Sequence, residues 1–242
     1  MEYIKDIILE LTKVYNPDNP IMFIRECIGE YWKDKINNMI KTCEDCSFHN
    51  KYKTLIFGDI KYASILILSD YLHKEQIDNS DKEYMSPFEN TEAFSILNDY
   101  IFNKINKNAI ILANSINCYP YYLDKDNKDN FRPPDLNEIK NCKVFLNWLI
   151  DLMRPRYIII MGKIALKSLT DENINYHSWT NIQGIPSLLT LNPIDLIIKE
   201  TDSEFKRNRL TQQQELFVSD IDNFIDKIKE DYPNSYQNIL VR

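Results

Sequence analysis

The feature that most limits how this chain can fold is a set of short runs, each apolar almost end to end: SILILS (64–69), AIILAN (109–114), YIIIM (157–161) and SLLTL (187–191). Each has strand length and none alternates with polar residues, so each is expected to be buried on both faces, as in a parallel sheet. TLIFG (54–58) is a further β-rich run. Helical segments lie between them: 89–105, a stretch from Asp135 to about Met153, and KIALKSLT after Gly162. Asp135 is an N-cap with Glu138 as its capping-box partner, and Pro155 ends that helix. The alternation predicts a single α/β domain with a central, mostly parallel sheet of four to five strands flanked by helices. Ligands of such a sheet bind beyond the carboxyl ends of the strands, here 69–75, 114–121, 162–164 and 192–196.

Residues 2–15 put Ile4, Ile7, Ile8, Leu11 and Val14 on one helical face, and a second helix is expected over about 20–41. The chain then divides into N-terminal helices packing on the core (1–42), the α/β domain proper (43–200) and a C-terminal region (201–242). In the last, 211–229 reads as an amphipathic helix. The segments 70–90 and 118–134 are expected to be irregular, the second because of its prolines and its run of Asn, Asp and Lys.

Composition excludes several functions. The four glycines are scattered (Gly29, Gly58, Gly162, Gly184), so neither a dinucleotide-binding nor a Walker-type phosphate loop is present. With 29 Lys and Arg against 36 Asp and Glu, the net charge is −7. Nucleic-acid binding through bulk positive charge is therefore disfavoured, and only a local basic face remains for it. No apolar run reaches the roughly 18–20 residues of a membrane span, and the first residues read as an amphipathic helix rather than a signal peptide. The expectation is a cytoplasmic protein (nucleoid-associated, or in host cytoplasm if viral) with no membrane partner. In that reducing compartment the five cysteines are expected to be metal ligands, catalytic groups or core residues, not disulfides.

Cys43 and Cys46 form a C-x-x-C pair, Cys118 follows a strand, and Cys142 lies in the early turns of a helix. Two close and two distant thiols suit a four-ligand zinc or iron–sulfur site; unrelated core cysteines would give the same spacing. Cys27, on an apolar helical face, reads as core. From Cys43 to about Ile197 the chain resembles the family 4 uracil-DNA glycosylases, the iron–sulfur branch of their superfamily. The resemblance rests on the C-x-x-C pair, LIFGDIKYASILIL, Pro87-Phe88 before a helix, and Asn114-Ser-Ile-Asn-Cys118. It continues through RPPDLNEIKNCKVFL, which holds the fourth cysteine, then RPRYIIIMGKIALKSL and Leu191-Asn192-Pro193-Ile194, where the family has H-P-S. It implies a uracil-DNA glycosylase-like fold and a [4Fe–4S] cluster on Cys43, Cys46, Cys118 and Cys142, with zinc the alternative for the same thiolates. The inserted YYLDKDNKDNF makes the Cys118–Cys142 spacing longer than is usual in the family.

The implied activity is excision of uracil, or a related deaminated base, from single- or double-stranded DNA by hydrolysis of the N-glycosidic bond. Such an enzyme flips the nucleotide out of the stack, sandwiches the base, reads its edge and stabilises the departing anion. The resemblance gives Phe88 the stacking role and Asn114 the base edge, where a carboxamide meets both a carbonyl and an N–H. Asp70 becomes the water-ordering carboxylate and Asn192 the donor to the leaving base. Both depart from the family pattern. Ser69-Asp70-Tyr71-Leu72-His73 replaces G-E-A-P-G, and Asn192 replaces a histidine. Losing one such donor costs about 100- to 1,000-fold in rate, so weak or altered activity is expected. A core phenylalanine at 88, turn asparagines at 114 and 192 and an ordinary strand-end acid at 70 would look the same. His73 reads as a solvated loop residue. His177 lies in the loop where a covalent uracil-trapping branch of the superfamily carries its reactive histidine, without that branch's basic neighbours. Lys163 and Lys167, with Lys206, Arg207 and Arg209 before the last helix, are candidate DNA contacts, and a solvated charged surface would look the same. The altered motifs motivate a second reading, a non-catalytic member of the fold that binds DNA or a replication or repair protein.

Overall fold

A computed structural model describes residues 20–46, 52–60, 63–126 and 129–241, the side chains of 20–28 and 129 excepted. The helix expected over 2–15 and the side chain of Cys27 lie outside the described residues. At the centre is one five-stranded sheet. In chain order come β1 (Ile65–Tyr71), β2 (Ile110–Ile116), the short strands β3 (Tyr121–Leu123) and β4 (Asp129–Phe131), then β5 (Tyr157–Met161), β6 (Ser178–Ile182) and β7 (Ile185–Thr190). The central sheet runs β2-β1-β5-β7-β6. It is parallel except for β6, which pairs antiparallel with β7. Every residue of β1, β2 and β5 except Tyr71 is buried, as their unbroken apolar runs require.

Among the described residues six helices flank the sheet: α1 (Pro20–Thr42), α2 (Lys74–Asp78), α3 (Glu92–Leu97), α4 (Leu136–Met153), α5 (Lys163–Leu169) and α6 (Glu204–Asp231). Because strand side chains alternate, the core falls into two halves. Ile65, Ile67, Leu112 and Ile159 pack with Leu97 of α3 and with Phe217, Ile221 and Phe224 of α6. Leu66, Leu68, Ile111 and Ile160 pack with Ile36 and Ile40 of α1, Leu149 of α4 and Leu166 of α5. The start of α4 follows the capping logic of its sequence. Asp135 Oδ1 accepts from the N–H groups of Asn137 (2.8 Å) and Glu138 (2.9 Å), while Glu138 Oε2 accepts from Asp135 N (2.8 Å).

The structure corrects several local expectations. TLIFG adds no strand to the central sheet: Lys53–Thr54 pairs with Tyr84–Met85, and Phe57 makes a single bridge to Leu112. The segment 70–90 contains α2. The segment 118–134 holds a hairpin, with Tyr121 opposite Phe131; its prolines lie outside the ladder, so none has to donate to it. The expected helix over 89–105 is α3 followed by a π-helical turn, Asn98–Phe102. The fifth strand, β6, is a half-wet edge joined to β7 through Gln183 and Gly184. Both residues have positive φ (53° and 87°), as a two-residue hairpin of this handedness demands. The last helix begins at Glu204 rather than 211, with Ser203 Oγ accepting from Lys206 N (3.3 Å).

Candidate functional site

The order of the sheet reverses between β1 and β5. The helix α3 that follows β1 packs on one face, and α5, directly after β5, packs on the other. At such a reversal, here the carboxyl ends of β1 and β5, the loops of open α/β sheets part and form the crevice that takes their ligands.

Asp70 stands there. Alternation along β1 turns it towards α5, and its Oδ1 accepts from Ala165 N at 2.7 Å. Asn192, in the loop after β7, sends its Nδ2 to Ser69 Oγ (3.2 Å) and lies 3.4 Å from Asp70 Oδ2. Its own Oδ1 accepts from Ile194 N (3.2 Å) and so starts the 3-10 turn Pro193–Leu196. Asn192 thus ties β1 to the loop after β7, and its side chain also has the work of a turn residue. Burial pushes Asp70 up to about 7, helped by the charge of Asp195 and opposed by the Ala165 N–H, the Asn192 amide and the Ile164 N–H. Near neutrality the carboxyl is thus divided between its neutral and ionised forms.

Gly162 makes the close approach possible. It follows β5 at φ 103°, and a Cβ built on it would overlap the Asp70 carboxylate. Gly184 also has positive φ but faces open space. Gly184→Ala is accordingly expected to cost about 1–2 kcal/mol from backbone strain alone. Gly162→Ala should cost roughly 2–4 kcal/mol, because overpacking adds to the strain. Urea unfolding of the two variants checks this; equal losses would mean that the carboxylate is free to move away.

The other two candidates lie across the sheet. Asn114 is in register with Ser69 on the neighbouring strand, and its Nδ2 donates to Thr54 Oγ1 (3.1 Å). Phe88 has φ 63° in a tight turn where its carbonyl accepts from Thr91 Oγ1 (2.7 Å). Its ring belongs to the α3–α6 half of the core, with Leu196 and Ile194 of the 3-10 turn. Asp70 and Asn192 are therefore brought into contact, Asn114 lies one strand away, and Phe88 sits on the α3–α6 side. All four are buried.

His73 differs from its expectation as a solvated residue. Its Nε2 is buried with no hydrogen-bond partner, its ring packs 4.7 Å from that of Tyr71, and burial lowers it to about 4. Lys163 is likewise engaged, donating to the Ile174 carbonyl and lying 4.7 Å over the Tyr176 ring, whereas Lys167 is exposed.

Three of the four candidate ligand cysteines gather in one small apolar cluster. Cys118, after β2, and Cys142, in α4, share a small apolar cluster with Ile116 and Ile139, against which Cys46 packs. Cys142 donates to the Cys46 sulfur. That bond lowers Cys46 to about 7 against its burial, and raises Cys142 well above the usual thiol value. Cys43 is close enough to Cys46 for their charges to interact, and burial raises it. Asn141 Nδ2 donates to the Asp45 carbonyl (2.7 Å) and holds the C-x-x-C loop against α4. Among the described residues, no three His, Cys, Asp or Glu side chains close around a common point as metal ligands do.

Sequence reasoning missed one polar cluster. Asp220 of α6 is buried, and its Oδ2 accepts from Thr190 Oγ1 (2.5 Å) and bonds His177 Nδ1 (2.8 Å). The sequence signal was an aspartate interrupting the apolar stripe of α6.

An open, mostly parallel sheet with polar groups gathered at the ends of β1 and β5 defines an α/β protein of the kind whose ligands bind at the sheet's carboxyl edge. The chain belongs to the uracil DNA glycosylase superfamily, whose family model matches residues 78–220, more than half its length. It is similar to a type-4 uracil-DNA glycosylase of Pyrobaculum aerophilum, 26% identical over 145 residues that make up 57% of this chain and 64% of the relative. The match thus spans a little under two thirds of that protein.

Proposed function

We propose that the protein excises uracil, or a related deaminated base, from DNA by hydrolysing the N-glycosidic bond. The observation that carries this reading is the contact between Asp70 and Asn192 at the crevice of a chain of this superfamily. In the reaction, Phe88 stacks on the flipped base and the Asn114 carboxamide reads its edge. Ionised Asp70 orders the attacking water and balances positive charge on the sugar. The Asn192 N–H stabilises the departing anion more weakly than an imidazole would. All four groups are buried, so admission of a base requires the turns carrying Phe88 and Asn192 to part.

We also propose that Cys43, Cys46, Cys118 and Cys142 hold a [4Fe–4S] cluster, with zinc as the alternative for the same sulfurs. The donor set fits: four thiols, three of them around one apolar cluster and one already favouring the thiolate. When bound, the cluster would act as a structural cross-link between the loop after α1, the end of β2 and α4.

A second reading is favoured by one observation: Asp70 and Asn192 satisfy each other and the neighbouring backbone. On that reading the crevice is a relic in a non-catalytic protein that binds DNA or a replication or repair partner. Incubation with single- and double-stranded uracil oligonucleotides, followed by alkali, separates the two. An enzyme yields strand breaks at uracil, and its rate falls as the pH drops below about 7, where Asp70 takes up a proton. The absence of breaks at any pH from folded protein overturns it.

Stability should show the same group with the opposite sign. The folded carboxyl titrates near 7 against an ordinary 3.8, so between those values the unfolded chain has lost a proton that the fold retains. Stability therefore falls as pH rises through that window, by at most roughly 4 kcal/mol. Asp70→Asn should remove this slope in urea unfolding measured from pH 4 to 8. A slope that survives the substitution belongs to other groups.

A further inference from the structure

The chain carries a second concave site, away from the crevice. Between α6 and the β6–β7 edge lies a cavity of about 430 Å³, within the range of small-ligand pockets. Its sheet side is formed by His177, Trp179 and Leu188, and its helix side by Asp220, Asn223, Asp226, Lys227 and Glu230.

Its side-chain polar atoms are mostly acceptors, the donors being the Asn223 amide, the Trp179 indole N–H and Lys227. Asp220 is 4% exposed, and only its Oδ2 is engaged, by Thr190 and His177; its Oδ1 has no partner. His177 Nδ1 pairs with that carboxylate, which leaves the ring's Nε2 as a further polar atom of the lining. Asp226 and Glu230, one turn apart on α6, add two carboxylates to the lining, Asp226 with its Oδ1 paired to Lys229 at 2.9 Å and its Oδ2 left over. The lining's one permanent cation, Lys227, is drawn aside to Asp231 at 2.6 Å. Trp179 supplies a flat wall. Its ring stacks on Phe224 at 3° and 5.7 Å, yet remains 37% exposed.

We propose that this pocket binds a guanidinium group. A planar cation with five donors matches a set of acceptors around an indole face, where it stacks and bonds in its own plane. The compact ammonium group has fewer donors and no plane to stack. A divalent metal ion fits less well, since no three acidic or histidine side chains among the described residues converge as ligands would. The inference does not rest on the glycosylase reading: the pocket uses none of the residues assigned there.

The test is a titration of the full-length protein with free arginine, N-acetyl-arginine amide and methylammonium chloride, following the Trp179 indole N–H signal, assigned with Trp179→Phe. Both guanidinium probes should give saturable shifts, with methylammonium at least fivefold weaker. Asp226→Asn combined with Glu230→Gln, surface changes that leave the native spectrum intact, should weaken binding at least tenfold. Tighter binding of N-acetyl-arginine amide than of free arginine assigns the pocket to an arginine of a partner polypeptide; the reverse order assigns it to a free guanidinium compound. The proposal is overturned by a response that does not saturate, that methylammonium equals, or that the double variant leaves unchanged.

Discussion

Anaerobically purified Cys142→Ser protein is expected to be colourless and nearly free of iron, and the wild-type chain to be brown with about four irons. Cys142 is 4% exposed and shares its proton with Cys46, so the substitution replaces a soft thiolate donor with a hard hydroxyl at the buried centre of the set. Cys118→Ser, in the same apolar cluster, should behave alike. Stability by itself does not decide the matter, because a serine that loses its partner in this cluster costs about 1–3 kcal/mol with or without a metal. Iron content and visible absorbance do, and Cys27→Ser, outside the set, should leave both unchanged. Stoichiometric zinc in place of iron would sink the cluster assignment and leave the four cysteines standing as ligands.

The second large effect is a gain. Asn192→His should raise uracil excision at least tenfold, towards the roughly 100- to 1,000-fold that one preorganised donor is worth. The local geometry suits the change. Asn192 Oδ1 accepts from Ile194 N at 3.2 Å, and the Nδ1 of a histidine can take over that bond. The backbone N–H then fixes the tautomer with the proton on Nε2, which reaches further into the crevice than the carboxamide does. Single-turnover rates on single-stranded uracil DNA are the measurement. If the variant and the wild type both leave the oligonucleotide intact while iron content is normal, the enzyme reading is wrong and the function lies on the surface.

The sequence revealed those parts of the fold where one physical demand dominated. β1, β2 and β5 are buried on both sides, and a strand in that setting has no choice but to be apolar throughout. The Asp135–Glu138 box announced α4 to the residue, since both side chains are needed to satisfy the same few amides. β6 was missed for the complementary reason. SWTNI is an edge with one wet face, and five residues are too few for alternation to stand out against a loop. The first two turns of α6, EFKRNRL, were missed because most of their side chains face water and only Leu210 is buried, so the apolar stripe starts late. At the site, sequence alone could name Asp70 and Asn192 but not their contact, which depends on Gly162 yielding the space of a side chain. His73 was misread because nothing local distinguishes an imidazole in solvent from one packed beneath Tyr71.

The seating of Asp70 over Gly162 sets chemistry against endurance. Burial raises the carboxyl towards its protonated form, whereas the proposed excision would need the charged one, so each turnover-competent molecule would carry an internal penalty that its silent form escapes. A population of variants screened only for heat resistance should therefore drift towards uncharged residues at position 70 and lose the reaction without losing the fold. Any engineering of this chain for robustness would have to score both properties at once.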